Sequence, residues 1–386
     1  MHMNDAARID ALRQEMAQAG LDALVVTRTG GIAYLAGVLV PWRTAIVVTP
    51  DADPELITVR NDVFRVLDQT WIQSHRTWEM DNPDGFAQVV VDALKAKGLE
   101  RGRIGVDLVT AAHPGALSAS EYLVWKDGLP DAELVNGIAV LDRIMIIKDH
   151  SEIEALRRAA EMADLGMEAA FDAIAPGVTD LHVAGVAEAA MRSAGSEFVW
   201  SVTGTEVGSG YRQRYEAGFT VAASDKRIQR GDIVTVDVHP MYRCYLGDLA
   251  LNAVVGEPTP EQLRLEAAWK AVADSIFAEL RPGAVISDIS RIAREVSESD
   301  EYGRHTIPFF GHGLGTDARI PPIISEANDA KLEKDMVFEV LVQTTVPHIG
   351  GLRLETAVHI TDDGFEHLNK CPVELRVLDA EKPLKF

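Results

Sequence analysis

The chain has 386 residues, enough for two domains with buried cores, and its 47% hydrophobic and 25% charged residues are those of ordinary soluble globular protein. A formal net charge of −22 argues against nucleic acid and anionic membrane as partners, because both need basic surface. Cys244 and Cys371, the two cysteines, lack metal-type spacing, and no run approaches the roughly 18 apolar residues of a membrane span. The N-terminus carries no apolar signal core, so the sequence reads as a cytoplasmic protein without a disulfide framework.

Residues 5–19 have helical spacing through Ile9, Leu12 and Met16 and stop at Gly20. Strands follow at 23–27, 44–49, 55–59 and 103–107, with helices near 85–97 and 118–127. This alternation predicts an α/β first domain over residues 1–147. Ser151-Glu-Ile-Glu154 has the form of a capping box and opens a long amphipathic helix through Ile153, Leu156, Ala160 and Leu165.

The second domain, residues 148–386, contains a repeat. Phe171 to Ala187 resembles Phe277 to Ala293: in each, a helix ends at Pro-Gly (Pro176-Gly177 and Pro282-Gly283) and a second begins after an Asp or Ser cap. The copies lie too far apart for a solenoid, which predicts two pseudo-symmetric halves, each a helix pair over strands.

Between them, Ile233 to Val238 reads as a strand, Pro240-Met-Tyr-Arg243 as a turn, and Tyr245 to Val255 as a returning strand. The hairpin brings Asp237 and Asp248 together, with Thr235, Asp237 and His239 on one face. Carboxylates in an apolar sheet are costly unless paired, protonated or bound to a cation. Farther on, Phe309 to Gly315 offers His312 in a glycine-rich turn where little side-chain bulk blocks a ligand. Lys334 to Val342 and Gly350 to Ile360 read as strands, the latter carrying Glu355.

The order Asp237, Asp248, Gly-His312-Gly, then Glu355 in Arg-x-Glu resembles the pita-bread family of methionine aminopeptidase, prolidase, aminopeptidase P and creatinase. Gly20 to Leu24 and Ile32 to Gly37 extend the resemblance to the creatinase and prolidase N-terminal domain. It implies a small N-terminal α/β domain and a C-terminal pseudo-symmetric α+β pita-bread domain. It further implies divalent metals on two aspartates, a histidine and two glutamates, which carries over to Asp237, Asp248, His312 and Glu355. Manganese, iron, cobalt or zinc suits such donors.

This sequence departs from the family's pattern in three places. Leu341 stands where the first glutamate ligand belongs, so the expectation is one metal, or none, rather than two. Glu339 shares its strand face but lies about 6.6–6.8 Å away along the strand; His239 is the other candidate to compensate. Arg319 replaces the second histidine of the peptidase members, and Ala217 to Val221, with Thr220 near the creatinase position, lacks the upstream histidine. Arginine matches a carboxylate bidentately. Arg319 is therefore a candidate substrate anchor. In creatinase-like dimers an N-terminal loop arginine reaches the neighbouring subunit's pocket, which makes Arg43 the second candidate, with Trp42, Tyr211, Arg212 and Tyr215 as lining residues. The two imidazoles that touch the scissile peptide in the peptidase members are thus missing, and the expected protein is a homodimeric metal-assisted hydrolase of the creatinase and prolidase type, not a peptidase, acting on a non-peptide C–N bond of a small carboxylate-bearing molecule. In it, Glu355 or Glu339 moves the proton and His312 ligates the metal or serves the leaving group. The alternatives are a lyase, resembling the metal-dependent dimethylsulfoniopropionate lyases, and an inactive binding scaffold.

Overall fold

The computed structural model describes residues 5–82, 84–108, 116–197, 204–210, 222–317 and 319–381. The chain divides into two compact units, Met1–Ile146 and Ile147–Phe386. Among the described residues no helix is long and apolar enough to cross a membrane.

The first unit runs α1 (Asp5–Gln18), β1 (Ala23–Val26), α2 (Thr29–Ala36), β2 (Ala45–Val48), β3 (Glu55–Val59), α3 (Val63–Gln69), β4 (His75–Trp78), α4 (Gly85–Ala96), β5 (Arg103–Val106), α5 (Ala119–Gly128), β6 (Glu133–Asn136) and α6 (Ile138–Ile146). Its sheet has the order β4-β3-β2-β1-β5-β6, parallel at β1/β5, β5/β6 and β3/β4. The short apolar strands are buried, as an α/β layer requires. Val25, Val47, Ile57, Ile104 and Val106 pack against Phe86, Val90, Leu94 and Trp125.

The second unit opens with α7 (His150–Ala173) and α8 (Asp180–Ser193), followed by β7 (Thr205–Ser209), β8 (Ile233–Val238), β9 (Met241–Tyr242), β10 (Tyr245–Leu246) and β11 (Leu249–Val255). The second half has α9 (Pro260–Phe277), α10 (Ile286–Glu298), β12 (Gly311–Gly313), β13 (Ile320–Ile323), β14 (Val337–Val346), β15 (Gly350–Ile360), β16 (Phe365–His367) and β17 (Leu375–Leu378). The large sheet has the order β13-β12-β14-β15-β11-β8-β7, with β16 on β15 and β17 on β11.

The repeat has a matching backbone device in each half. Gly177 at φ +89° donates its N–H to Ile228, and Thr179 bridges Arg227; Gly283 at φ +84° donates to Leu332, and Val285 bridges Lys331. Both turns need the left-handed backbone that glycine adopts without penalty. The helix caps differ from expectation: Thr179 caps α8 through its hydroxyl, and α10 begins after Val285 with no side-chain cap.

Three further local readings are corrected. The capping box of α7 lies two residues earlier than Ser151–Glu154. The Asp149 carboxylate accepts from Glu152 N–H at 2.9 Å, and Glu152 Oε2 accepts from Asp149 N–H at 3.0 Å, while the Ser151 hydroxyl donates to Asp149 at 2.6 Å. Leu165 is 51% exposed, so the buried stripe of α7 continues through Ala163 and Met167. Finally, Tyr245 to Val255 is not one strand. The tight turn falls at Arg243 and Cys244, both at positive φ, where the Glu197 carboxylate accepts both backbone N–H groups. β9 and β10 form a small hairpin of their own, and Gly247-Asp248 breaks the chain before β11.

Asp149→Ala is expected to cost about 0.5–2 kcal/mol, typical of losing an aspartate cap, and Ser151→Ala less. Denaturant midpoints of the two variants check this; a larger loss at Ser151 would restore the later cap.

Candidate metal centre

The centre is a row across the large sheet. Asp237 on β8 faces Ala250 on β11, Ala250 faces Glu355 on β15, and Glu355 faces Leu341 on β14. Directly opposed residues send their side chains to the same face of a sheet. Ala250, the smallest side chain of the row, leaves the two carboxylates free to converge over it. Asp248 joins from the break after β10. Its neighbour Gly247 is pressed against α7, where a Cβ would lie 2.7 Å from the Ala159 carbonyl oxygen. The Gly247 N–H donates to Pro240 and the Leu246 N–H to Gly315, which fixes the break against the loop after β12.

Asp237, His239, Asp248 and Glu355 each place one donor atom so that all lie within 4.8 Å of one another, and among the described residues no other such group occurs. His239 Nε2 is 3.2 Å from Asp237 Oδ1 and 3.5 Å from Asp248 Oδ1. Its Nδ1 lies 2.8 Å from the Gly204 carbonyl oxygen. Arg353, which the Arg-x-Glu spelling displayed but the sequence reading gave no role, donates to Glu355 from Nε at 3.0 Å and from an Nη at 2.7 Å. Its Nε is also 3.2 Å from Asp237 Oδ2, and its other Nη donates to Gln343, its cross-strand partner.

His312 and Glu339 are opposed to each other on β12 and β14, two residues along the strand from Leu341. His312 is 1% exposed and Glu339 is 0% exposed, with both carboxyl oxygens lacking a hydrogen bond. They line the same face but stand outside the four-donor group. The group includes His239 and does not include His312, the imidazole that the resemblance implies as ligand. The Gly-His-Gly segment is a strand, not a turn. Its glycines admit neighbouring backbone: a Cβ on Gly311 would fall 2.0 Å from the Glu339 carbonyl oxygen, and one on Gly313 would fall 2.2 Å from that of Pro321. Arg319 is exposed and close enough to act electrostatically on Asp248 and His312.

Arg43 and Trp42 belong to the first unit. The Arg43 guanidinium forks onto Glu121 at 2.5 and 2.8 Å and lies 4.9 Å over the Phe86 ring, so its own domain occupies it. Trp42 is 42% exposed. Tyr211, Arg212, Tyr215 and the stretch 217–221 lie outside the described residues.

Burial, then Glu355, pushes the Asp248 carboxyl up to about 7. Burial and neighbouring carboxylates likewise hold Asp237 and Glu339 well above the usual range. Burial opposes charge on His239 too, but Asp237 and Asp248 outweigh it and raise the imidazole to about 10. Burial also opposes charge on Glu355; the Arg353 guanidinium with His312 and His239 wins, leaving this carboxylate below its usual range. Burial, the largest influence on His312, holds its imidazole below the usual value. Both Asp237 oxygens and Asp248 Oδ1 are buried without a hydrogen bond, and an oxygen-rich donor set with one imidazole suits a divalent transition metal. The residues therefore fit the cation that the fold implies.

The chain matches metallopeptidase family M24 over residues 154–362 and the creatinase/prolidase N-terminal domain over residues 8–146. The chain belongs to metallopeptidase family M24. Within that family it is 34% identical to the Xaa-Pro dipeptidase of Pyrococcus furiosus over 266 residues, covering 68% of this chain and 74% of that protein. It is 27% identical to an uncharacterized peptidase of Bacillus subtilis, YqhT, covering 96% and 100%. The prolidase structure from Pyrococcus horikoshii superposes with a TM-score of 0.81 at 25% identity, covering 96% of this chain and 99% of that one. This M24 member is a pita-bread-fold hydrolase, and members of the family depend on divalent metal.

The shifts set the pH dependence of the metal-free M24 fold. A group whose folded pKa is raised stabilises fully below its unfolded pKa and loses that contribution as pH rises through the folded value. For Asp248 the loss runs from about 4 to about 7, and for His239 from about 6.5 to about 10. The melting temperature of chelator-treated wild type relative to that of Asp248→Asn is expected to fall from about pH 4 to about pH 7. A flat or rising profile would contradict the charge arrangement.

Proposed function

We propose that this chain hydrolyses a C–N bond in a small molecule bearing a carboxylate, using one divalent cation. The observation that carries the reading is the convergence of Asp237, Asp248 and Glu355 with the exposed Arg319 beside them. Relatives named Xaa-Pro dipeptidases support C–N hydrolysis as the reaction class. Arg319 at the place of a peptidase histidine supports a substrate held by its anionic end. Asp237, Asp248 and Glu355 would hold the cation, which when bound supplies positive charge that polarises the bond attacked and acidifies water.

The remaining work falls to the chain's own side chains. Arg319 takes the substrate carboxylate in its planar fork. Glu355, kept ionised by Arg353, receives a proton from the attacking water. His312 and Glu339, whose carboxyl burial and neighbouring carboxylates hold well above the usual range, form the wall that gives a proton to the leaving nitrogen. A cleft of about 330 Å³ beside His239, lined among the described residues by Glu188, Arg192, Glu197 and Thr205, is of a size for a small substrate. The homodimer implied by the resemblance would bring Arg43 to a neighbouring site only after release from Glu121.

Turnover of N-substituted small acids and Xaa-Pro dipeptides in ¹⁸O-water tests the reaction. One labelled oxygen in the product is expected; an unlabelled unsaturated acid would mean elimination instead. On the substrate so found, Arg319→Ala is expected to raise KM about 10- to 150-fold with kcat little changed, the loss of a charge-assisted hydrogen-bonded pair. An unchanged KM would remove Arg319 from the substrate site.

A further inference from the structure

The imidazole in the four-donor group is not the one that the order of motifs implied. Family resemblance assigns the ligand role to His312, yet His312 stands outside the group and His239 stands inside it. Leu341, 2% exposed and opposite Glu355, supplies no donor where the resemblance implies a second glutamate ligand. Resting on the reading of this centre as a metal site, we propose that His239, through Nε2, is the imidazole ligand of a single transition-metal ion held with Asp237, Asp248 and Glu355, and that His312 does not ligate it.

Three observations carry this. The first is spacing. Donors at metal bonds of about 2.1 Å stand about 3.0–3.4 Å apart in octahedral or tetrahedral spheres, and His239 Nε2 lies 3.2 and 3.5 Å from the two aspartate oxygens. The second is orientation. With Nδ1 at 2.8 Å from the Gly204 carbonyl oxygen, the imidazole donates its Nδ1–H there and points Nε2 at the carboxylates, where a metal ion would take the place of the Nε2 proton. A backbone carbonyl on the far nitrogen is the support that metal-bound histidines commonly have, and it raises ligand basicity. The third is independent of the four donors. Glu339 is fully buried with both oxygens lacking a hydrogen bond, and the repulsion it feels from Asp248, Glu355 and Asp237 outweighs the attraction of Arg353. A further buried carboxyl on the same sheet face as the three carboxylates is an arrangement that positive charge among them would relieve.

One imidazole among three carboxylates also sets the class of ion. Borderline ions such as zinc, cobalt, iron and manganese(II) accept mixed nitrogen and oxygen donors, whereas calcium and magnesium favour oxygen alone.

The test is metal binding to chelator-stripped full-length protein, without reference to turnover. Zinc titrated calorimetrically is expected to bind at one ion per chain, about tenfold or more weakly in His239→Ala and unchanged within about threefold in His312→Ala. Circular dichroism and melting of the metal-free variants establish that they fold. His239→Gln, which keeps polar bulk, provides the second substitution. Copper(II)-loaded protein gives a readout independent of affinity: nitrogen superhyperfine splitting in its electron paramagnetic resonance spectrum is expected in wild type and His312→Gln and is lost in His239→Gln. Splitting lost in His312→Gln but kept in His239→Gln would overturn the assignment and leave the metal site standing. Two ions per chain would overturn the single-ion part. No ion bound at all would overturn both the inference and the reading beneath it, with protonated His239 itself as the cation of the centre.

Discussion

Three carboxylates held within 4.8 Å of one another on the buried face of a sheet are the constraint around which the second domain is arranged. Two like charges about 4 Å apart repel by about 4 kcal/mol at an effective dielectric of about 20, so three such pairs approach the whole stability of a typical domain, about 5–15 kcal/mol. The domain answers with cations placed against particular oxygens. Arg353 forks onto Glu355 and touches Asp237, and His239 lies between Asp237 and Asp248. Glu339 makes no ion pair among the described residues, and burial with its carboxylate neighbours holds it well above the usual range.

The sheet makes this arrangement by register. Asp237, Ala250, Glu355 and Leu341 fall in one row because four strands pair without a slip at that level. A slip of one residue at any interface would turn a carboxylate to the other face. Asp248 enters from outside the row because the chain breaks at Gly247, and that break exists because α7 lies too close for a side chain. The same economy of space explains the glycines on either side of His312, which let β12 pass between the backbones of β13 and β14. A function-based account of those glycines, as room for a ligand, is replaced by a packing one.

Much of the fold was legible. The first-domain strands and helices follow from short apolar runs and helical spacing, and the duplicated Pro-Gly turn exposed the pseudo-symmetry of the second domain before any strand pairing was known. The misread elements share a cause. Asp149 and Ser151 are both competent caps, and only the helix start chooses between them. The apolar run after Tyr245 carries no mark of its interruption, because Gly247 is required by α7, which lies far away in sequence. Arg353 was in plain view within Arg-x-Glu, but its partners Gln343 and Asp237 are on other strands, so its purpose could not be read along the chain.

The sequence by itself carried the family, through the order of Asp237, Asp248, His312 and Glu355, and showed three of the four convergent donors together with the missing donor at Leu341. The resemblance named His312 as the imidazole among the carboxylates and offered His239 only as compensation for Leu341. Both histidines sit among extended, small or β-branched neighbours, and neither local pattern distinguishes a ligand from a wall of the site. Tertiary structure brings His239 into the four-donor group, since convergence on a point depends on register across the strands of the row and on a carbonyl, that of Gly204, which turns one ring nitrogen inward. A linear pattern specifies which donors exist; distances of 3 to 5 Å between atoms on different strands arise only when the sheet closes.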